Sequence, residues 1–181
     1  YNWIAKVQVR GNAVFSFGQT MHSTLHKFYK LVKERSEASQ QDLFNKTSKI
    51  KYPTQKDLLK FYEESWIDDW YNSAEQKEEY RQNGVRILQE YYDKYKNKWT
   101  VPLYLEKGFT IKIGEHSLRG VMDRVDVDKN DEWDIIDYKT GRPKEKATFE
   151  DKKQLLLYQI AADEVFKSKT KNLAFYYLEN N

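Results

Sequence analysis

The chain has 181 residues, 33% of them charged and 15% aromatic, with a formal net charge of +3. That length suits one domain with a sizeable core, and the aromatic content excludes a disordered chain. The sequence contains no cysteine, which excludes disulfides, thiolate-ligated zinc, iron–sulfur clusters and a cysteine nucleophile.

The opening stretch, "YNWIAKVQVRG", has neither an initiating Met nor an apolar signal core, and is expected to continue an upstream polypeptide. Met21, Leu25, Phe28, Tyr29 and Val32 recur at helical spacing and predict a helix from about Thr20 to Lys33. A linker rich in Ser, Gln and Asn follows, from Ser36 to Lys51. Thr54 stands as N-cap to a second helix with Leu58, Leu59, Tyr62 and Trp66 on one side. A third helix carries Tyr80, Val85, Leu88, Tyr91, Tyr92 and Tyr95. After Pro102 the apolar period shifts from about 3.6 to 2. "LYLEKGFTIKIG" places Leu103, Leu105, Phe109, Ile111 and Ile113 on one strand face, and "HSLRGVMDRVDVD" and "EWDIIDYKT" are two further strands. A periodic helix from about Phe149 to Lys167 and a last strand, "NLAFYYLE", complete the order. The expected fold is α/β, a mixed β-sheet with flanking helices. A helical N-terminal region over about 18–99 and an α/β core over about 102–178 are expected to form a single domain. No run of roughly 18 apolar residues is present, so no membrane helix is expected.

The second and third strands meet across "DKNDE". Pairing symmetric about Asn130 sets Val127 opposite Trp133, Val125 opposite Ile135 and Asp123 opposite Asp137. One face then gathers Val121, Val125, Val127, Trp133 and Ile135 together with Asp123, Asp137 and Lys139. Arg124, Asp126, Asp134, Met122, Ile136 and Tyr138 take the other. A slip of one residue would scatter the apolar set over both faces.

Directly opposed residues bring their Cβ atoms to about 4.5–5.5 Å. Two carboxylates that close on an apolar face require a proton or a cation between them. Oxygen ligands suit Mg2+ or Mn2+ better than zinc. Such a cation, two acids and a lysine have the parts to activate water against a phosphate ester. A plainer account makes Asp137 and Lys139 an ion pair at a sheet edge and pairs Asp123 with Arg124 or Lys107. The cross-strand placement of Asp123 favours the metal site.

These segments together resemble the PD-(D/E)xK nuclease superfamily. More narrowly, they are similar to the RecB-like nuclease domain found at the C-terminus of UvrD/Rep-type helicases. Four ordered motifs carry the match: G-x-x-D-R-x-D at Gly120–Asp126, D-x-K-T-G at Asp137–Gly141, Q-x-x-x-Y at Gln154–Tyr158, and G-x-x-x-H from Gly18 to His22. The D-x-K triplet alone is common; the four in order are specific, and they span about Phe17 to Tyr177.

The resemblance implies a restriction-endonuclease-like core in which Asp123 and Asp137 hold the metal and the backbone carbonyl of Tyr138 adds a ligand. Lys139 then orients or polarises the attacking water. Gln154 and Tyr158, one turn apart on a helix, fall beside the site. The resemblance also assigns His22 to the metal, with His26 as a competing histidine. Glu106 matches a further metal-linked acid, although simple alternation puts it opposite Leu105 and Phe109 unless a bulge near Gly108 brings it round. His116, in a predicted β-turn, is expected at the surface.

The implied activity is that of a Mg2+- or Mn2+-dependent DNA nuclease, an exonuclease or end-processing enzyme of repair and recombination. Its implied partners are single-stranded or duplex DNA ends and a helicase module of the parent chain, in a cytoplasmic setting. Some relatives hold an iron–sulfur cluster through four cysteines; this chain, without cysteine, fits the cluster-free branch. Arg142, Lys144 and Lys146, with Lys152 and Lys153 beyond them, would attract a DNA backbone, or form an ordinary solvated loop. No base-reading motif is present, so little sequence specificity is expected. No G-x-x-x-x-G-K-[ST] occurs, which excludes ATP hydrolysis by that route. Two rival readings are a catalytically inert nuclease-fold module that binds DNA or scaffolds, and an RNA-directed nuclease of the same superfamily.

Overall fold

The computed structural model describes residues 12–41, 50–96, 98–143 and 145–179. The chain divides between Val101 and Pro102 into two compact units, one helical and one α/β. The division falls where the apolar period changes.

In the helical unit, α1 (Ala13–Gln41) begins about two turns before the expected start. Asn12 explains this: its side-chain oxygen accepts a hydrogen bond from the Phe15 N–H at 2.9 Å and caps the helix. Ala13 and Phe17 extend the stripe of Met21, Leu25, Phe28, Tyr29 and Val32, all buried. Ser16, Thr20 and Thr24 interrupt that stripe in sequence yet are fully buried. Ser16 donates to the Asp69 carbonyl at 2.6 Å, and Thr20 accepts from the Ile67 N–H at 3.1 Å. Thr24 donates back to the Thr20 carbonyl at 2.7 Å. Buried hydroxyls thus tie the loop after α2 to α1. The expected polar linker is helical as far as Gln41, and its residues 42–49 lie outside the described residues.

Helix α2 (Gln55–Ser65) starts at the expected cap, Thr54, which forms a capping box with Asp57. The Thr54 backbone N–H holds the Asp57 carboxyl below its usual range. Helix α3 (Ala74–Tyr95) is capped by Ser73. Phe28, Tyr29, Tyr91, Tyr92 and Tyr95 surround Trp99, and the Tyr29 and Tyr91 hydroxyls meet at 2.6 Å. The tyrosines at helical spacing are therefore largely core.

Gly84 lies inside α3 against Tyr62, whose phenol donates to the Arg81 carbonyl at 3.2 Å. A Cβ at Gly84 would run into that phenol. Helix propensity alone favours Gly84→Ala by about 1 kcal/mol. Overpacking against fully buried Tyr62 costs about 1–3 kcal/mol. Gly84→Ala is therefore expected to lower stability in urea unfolding, and adding Tyr62→Phe to restore only part of it, because two ring carbons would still lie 2.6 and 2.9 Å from the new methyl. A stabilised single variant would contradict the packing.

The α/β unit contains β1 (Tyr104–Ile113), β2 (His116–Val127), β3 (Trp133–Lys139), α4 (Phe149–Ile160), a single π-helical turn (Ala161–Val165) and β4 (Thr170–Tyr177). The strands lie in the order β1-β2-β3-β4. The first two pairings are antiparallel and β3–β4 is parallel, giving the mixed sheet expected. Thr148 caps α4 through a capping box with Asp151. The core joins Phe109, Ile111, Met122, Val125, Trp133 and Ile135 of the sheet to Tyr158, Ala161 and Ala162. The π turn carries two consecutive alanines, both fully buried in this core. His116 is exposed, as expected.

The pairing about Asn130 is as expected, with Val127 opposite Trp133 and Val125 opposite Ile135. The face assignment needs correction upstream. Met122, expected on the face opposite Val125, is fully buried in the same core, while Val121, expected inside, is 50% exposed. Val127, at the strand's end, is also exposed. The cause is a break in the β1–β2 ladder: Leu105 pairs with Arg124 and Lys107 with Met122, while Glu106 and Asp123 between them do not pair. Glu106 has φ of 47°, a left-handed conformation that non-glycine residues rarely adopt. Alternation reverses there, so Phe109 and Leu105 do not share a face. The irregularity is at Glu106, not at Gly108.

Candidate active site

Asp123 lies at that break, and the break determines what its side chain can do. The β2–β3 ladder ends at Arg124 opposite Ile136. Beyond it, Asp123 Oδ2 accepts from the Tyr138 N–H at 2.8 Å. A carboxylate has taken the place of a strand carbonyl.

Asp137, one residue earlier on β3, is 3% exposed. Its Oδ1 accepts from Gln154 Nε2 and from the Tyr158 hydroxyl, each at 2.7 Å. Gln154 Nε2 also donates to the Tyr158 oxygen at 2.7 Å, and Gln154 Oε1 accepts from Lys139 Nζ at 3.0 Å. Lys139 Nζ lies 2.6 Å from Asp137 Oδ2, a charge contact. That buried oxygen thus faces the ammonium, while Oδ1 takes the two neutral donors. Lys139, Gln154, Tyr158 and Asp137 thus form a closed ring, with β3 supplying two members and α4 the other two, on successive turns.

Burial pushes the Asp137 carboxyl above its usual range; contacts with Lys139 and Tyr158 pull it back, and the charge of Asp123 pushes it up again. The Asp123 charge thus reaches Asp137, as the hairpin register implies. Burial, then the charge of Asp137, drives the Tyr158 phenol far above its usual range. Tyr158 stays protonated and acts toward Asp137 only as a donor.

The structure brings together five of the residues singled out in the sequence: Asp123, Asp137, Lys139, Gln154 and Tyr158. Glu106 is not among them. It is exposed, and among the described residues no three His, Asp or Glu side chains converge as a metal cage. The ladder break at Glu106 serves to turn Asp123. His22 lies on α1 of the helical unit, half-buried, with His26 one turn on; its assignment to a metal rests on the resemblance alone. Arg142 and Lys146 are exposed, and Lys144 lies outside the described residues. Asp134 accepts from Asn172 Nδ2 at 2.6 Å, away from the ring.

Sequence reasoning missed Phe175, whose ring centroid lies 4.7 Å from Lys139 Nζ. Phe175 is the β4 partner of Asp137 in the parallel ladder. The register of β4 against β3 was the only signal, and a crossover connection hides it.

The donors suit a hard divalent cation. Asp137 Oδ2 is a buried carboxylate oxygen facing the Lys139 ammonium, the Asp123 carboxylate is close by, and the candidate ligand atoms are oxygen. Two carboxylates leave most of the coordination shell to water, which is the habit of Mg2+. Two acids and a lysine at the ends of adjacent strands, braced by a glutamine and a tyrosine from one helix, define a hydrolase site for phosphate esters. The PD-(D/E)XK nuclease superfamily model matches residues 5–181, and the chain belongs to that superfamily. The sequence Asp137-Tyr138-Lys139 fits the (D/E)XK pattern of that name. No curated protein matches the sequence. Nucleases of this superfamily generally use divalent cations such as Mg2+.

Proposed function

We propose that the chain is a divalent-metal-dependent deoxyribonuclease of the RecB-like branch, trimming DNA ends in repair or recombination beside a helicase module in the cytoplasm. The observation that carries this reading is Asp137, a carboxylate 3% exposed and set beside a second acid, with its Oδ2 facing the Lys139 ammonium at 2.6 Å. Asp123, Asp137 and the Tyr138 carbonyl would hold Mg2+ or Mn2+; His22 and the exposed Glu106 are further candidates, drawn from the resemblance only. When bound, such a cation lowers the pKa of water and neutralises charge on a phosphate.

The protein's own groups do the rest. Gln154 and Tyr158 occupy Asp137 Oδ1 with two hydrogen bonds, which leaves Oδ2 to the Lys139 ammonium and to a cation. Gln154 Oε1 and the Phe175 ring keep the Lys139 ammonium in place, while 31% of the side chain remains exposed to substrate. From there Lys139 donates to a phosphate oxygen or to the attacking water. Arg142, Lys144, Lys146 and Lys152 follow β3 in sequence and would attract the DNA backbone.

The test is hydrolysis of end-labelled single- and double-stranded DNA with Mg2+ or Mn2+, comparing the wild type with Asp123→Ala. The expected result is metal-dependent cutting by the wild type and none above background by the variant. Equal cutting by both would overturn the assignment. An RNA substrate of the same sequence tests the RNA-directed rival, and a wild type that neither binds Mn2+ at the Asp123/Asp137 site nor cuts would support the inert module.

A further inference from the structure

The reaction site lies on one side of β3, but the residue at its centre is anchored on the other. Tyr138 sits between Asp137 and Lys139, and its side chain points away from them. There it is 4% exposed, its ring edge-on to Tyr176 at 6.1 Å, and its hydroxyl accepts from Arg124 Nη1 at 3.2 Å. Arg124 is in turn gripped by Asp126: Nε donates to Oδ1 at 2.7 Å and Nη2 to Oδ2 at 2.5 Å. The Arg124 side chain is 7% exposed and that of Asp126 13%, so the pair is held out of water. A guanidinium with both carboxylate oxygens on one edge has a fixed plane, which aims Nη1 at Tyr138.

Two side chains of adjacent residues on β2 therefore hold one residue of β3 from opposite sides. Asp123 takes the Tyr138 N–H, and Arg124 takes its hydroxyl. This occurs at the last rung of the β2–β3 ladder, beyond which backbone bonds no longer fix the strand separation. We infer that Arg124, aimed by Asp126, is a positioning residue: it sets the spacing of the Asp123 and Asp137 carboxylates by anchoring the Tyr138 hydroxyl. The inference concerns strand geometry and rests on the proposed metal site only for its consequence, that metal affinity depends on a hydroxyl on the far side of the sheet.

Removing Arg124 would take from buried Asp126 the guanidinium that grips it, and so threaten the fold. Tyr138→Phe is the cleaner variant, because it deletes one oxygen and keeps the ring against Tyr176. Two measurements on the full chain serve. In the metal-free protein, hydrogen exchange at the residue 138 amide is expected to accelerate at least about tenfold, with Val125 and Ile135 unchanged. In calorimetric titration with Mn2+, affinity is expected to fall by about 10–100-fold, the usual effect of losing an outer partner of a ligand.

Exchange at residue 138 indistinguishable from wild type would overturn the inference, whatever the metal does. So would faster exchange with unchanged Mn2+ affinity, since the anchor would then not govern the acids. If the wild type itself fails to take up Mn2+, the nuclease reading fails, while the exchange result still decides whether Arg124 anchors residue 138.

Discussion

Lys139→Met is expected to lower kcat/KM on DNA by about 10²–10³-fold while the chain stays folded and still binds Mn2+. The magnitude is that of removing one preorganised donor from a developing charge. Three groups hold the ammonium: Asp137 Oδ2 at 2.6 Å, Gln154 Oε1 at 3.0 Å and the face of Phe175. Such a charge arrives at the phosphate with little reorganisation left to make. The metal arm separates this role from a structural one. Lys139 is itself a cation beside the acids, so its loss removes a competitor, and Mn2+ affinity at pH 8 should be equal or tighter. The Lys139 contact also pulls the Asp137 carboxyl downward. Without it the carboxyl protonates at higher pH, and Mn2+ binding should be lost at a higher pH as the solution is acidified. A variant that cuts within about threefold of wild type, or that loses Mn2+ at pH 8, would show that Lys139 merely props up Asp137.

Most of the site was legible because three local rules agreed. The hairpin centred on Asn130 fixed the β2–β3 register, the D-x-K triplet lay on the strand it fixed, and Gln154 and Tyr158 lay one turn apart on the next helix. What strict alternation cannot show is where a strand departs from it. Val121 and Met122 were assigned to the wrong faces because Glu106 adopts a left-handed backbone, and nothing about glutamate announces that. The same break places Asp123 on the Tyr138 N–H, so the misread residues and the site share one cause. The start of α1 was late for a different reason. Ser16, Thr20 and Thr24 read as polar interruptions, and only their tertiary hydrogen bonds make them core. Arg124 was assigned to the far face and weighed only as an ion partner for Asp123. Its action runs through the sheet to Tyr138, and no pattern along the chain encodes contact between the two sides of a strand.

Asp137→Asn is expected to make the metal-free protein more stable at pH 8 and to abolish cutting. Burial raises the folded-state pKa of Asp137 above its ordinary value. A group shifted this way contributes stability that is present below the unfolded pKa and lost as pH rises through the folded one. At pH 8 the wild type therefore holds a carboxylate where the fold prefers a neutral group. Asparagine keeps Oδ1 for Gln154 and Tyr158. It turns an amide toward Lys139, whose partly exposed ammonium can swing outward. The gain should be on the order of 1 kcal/mol, a few degrees in Tm, typical when a site strained for function is relaxed. The gap should narrow as the solution is acidified toward the raised folded-state value, because the wild-type carboxyl then takes up its proton. Mn2+ should reverse the order. At about 100 times Kd it stabilises a protein that binds it by about 2.7 kcal/mol, and the variant has lost the oxygen that binding needs. Thermal melts of both proteins at pH 8 with and without Mn2+ make the comparison. A variant less stable than wild type without metal, or equal stabilisation of both by Mn2+, would mean that Asp137 is a structural ion-pair partner of Lys139. The crossing of the two orders is what distinguishes a carboxylate buried for a cation from one buried for the fold.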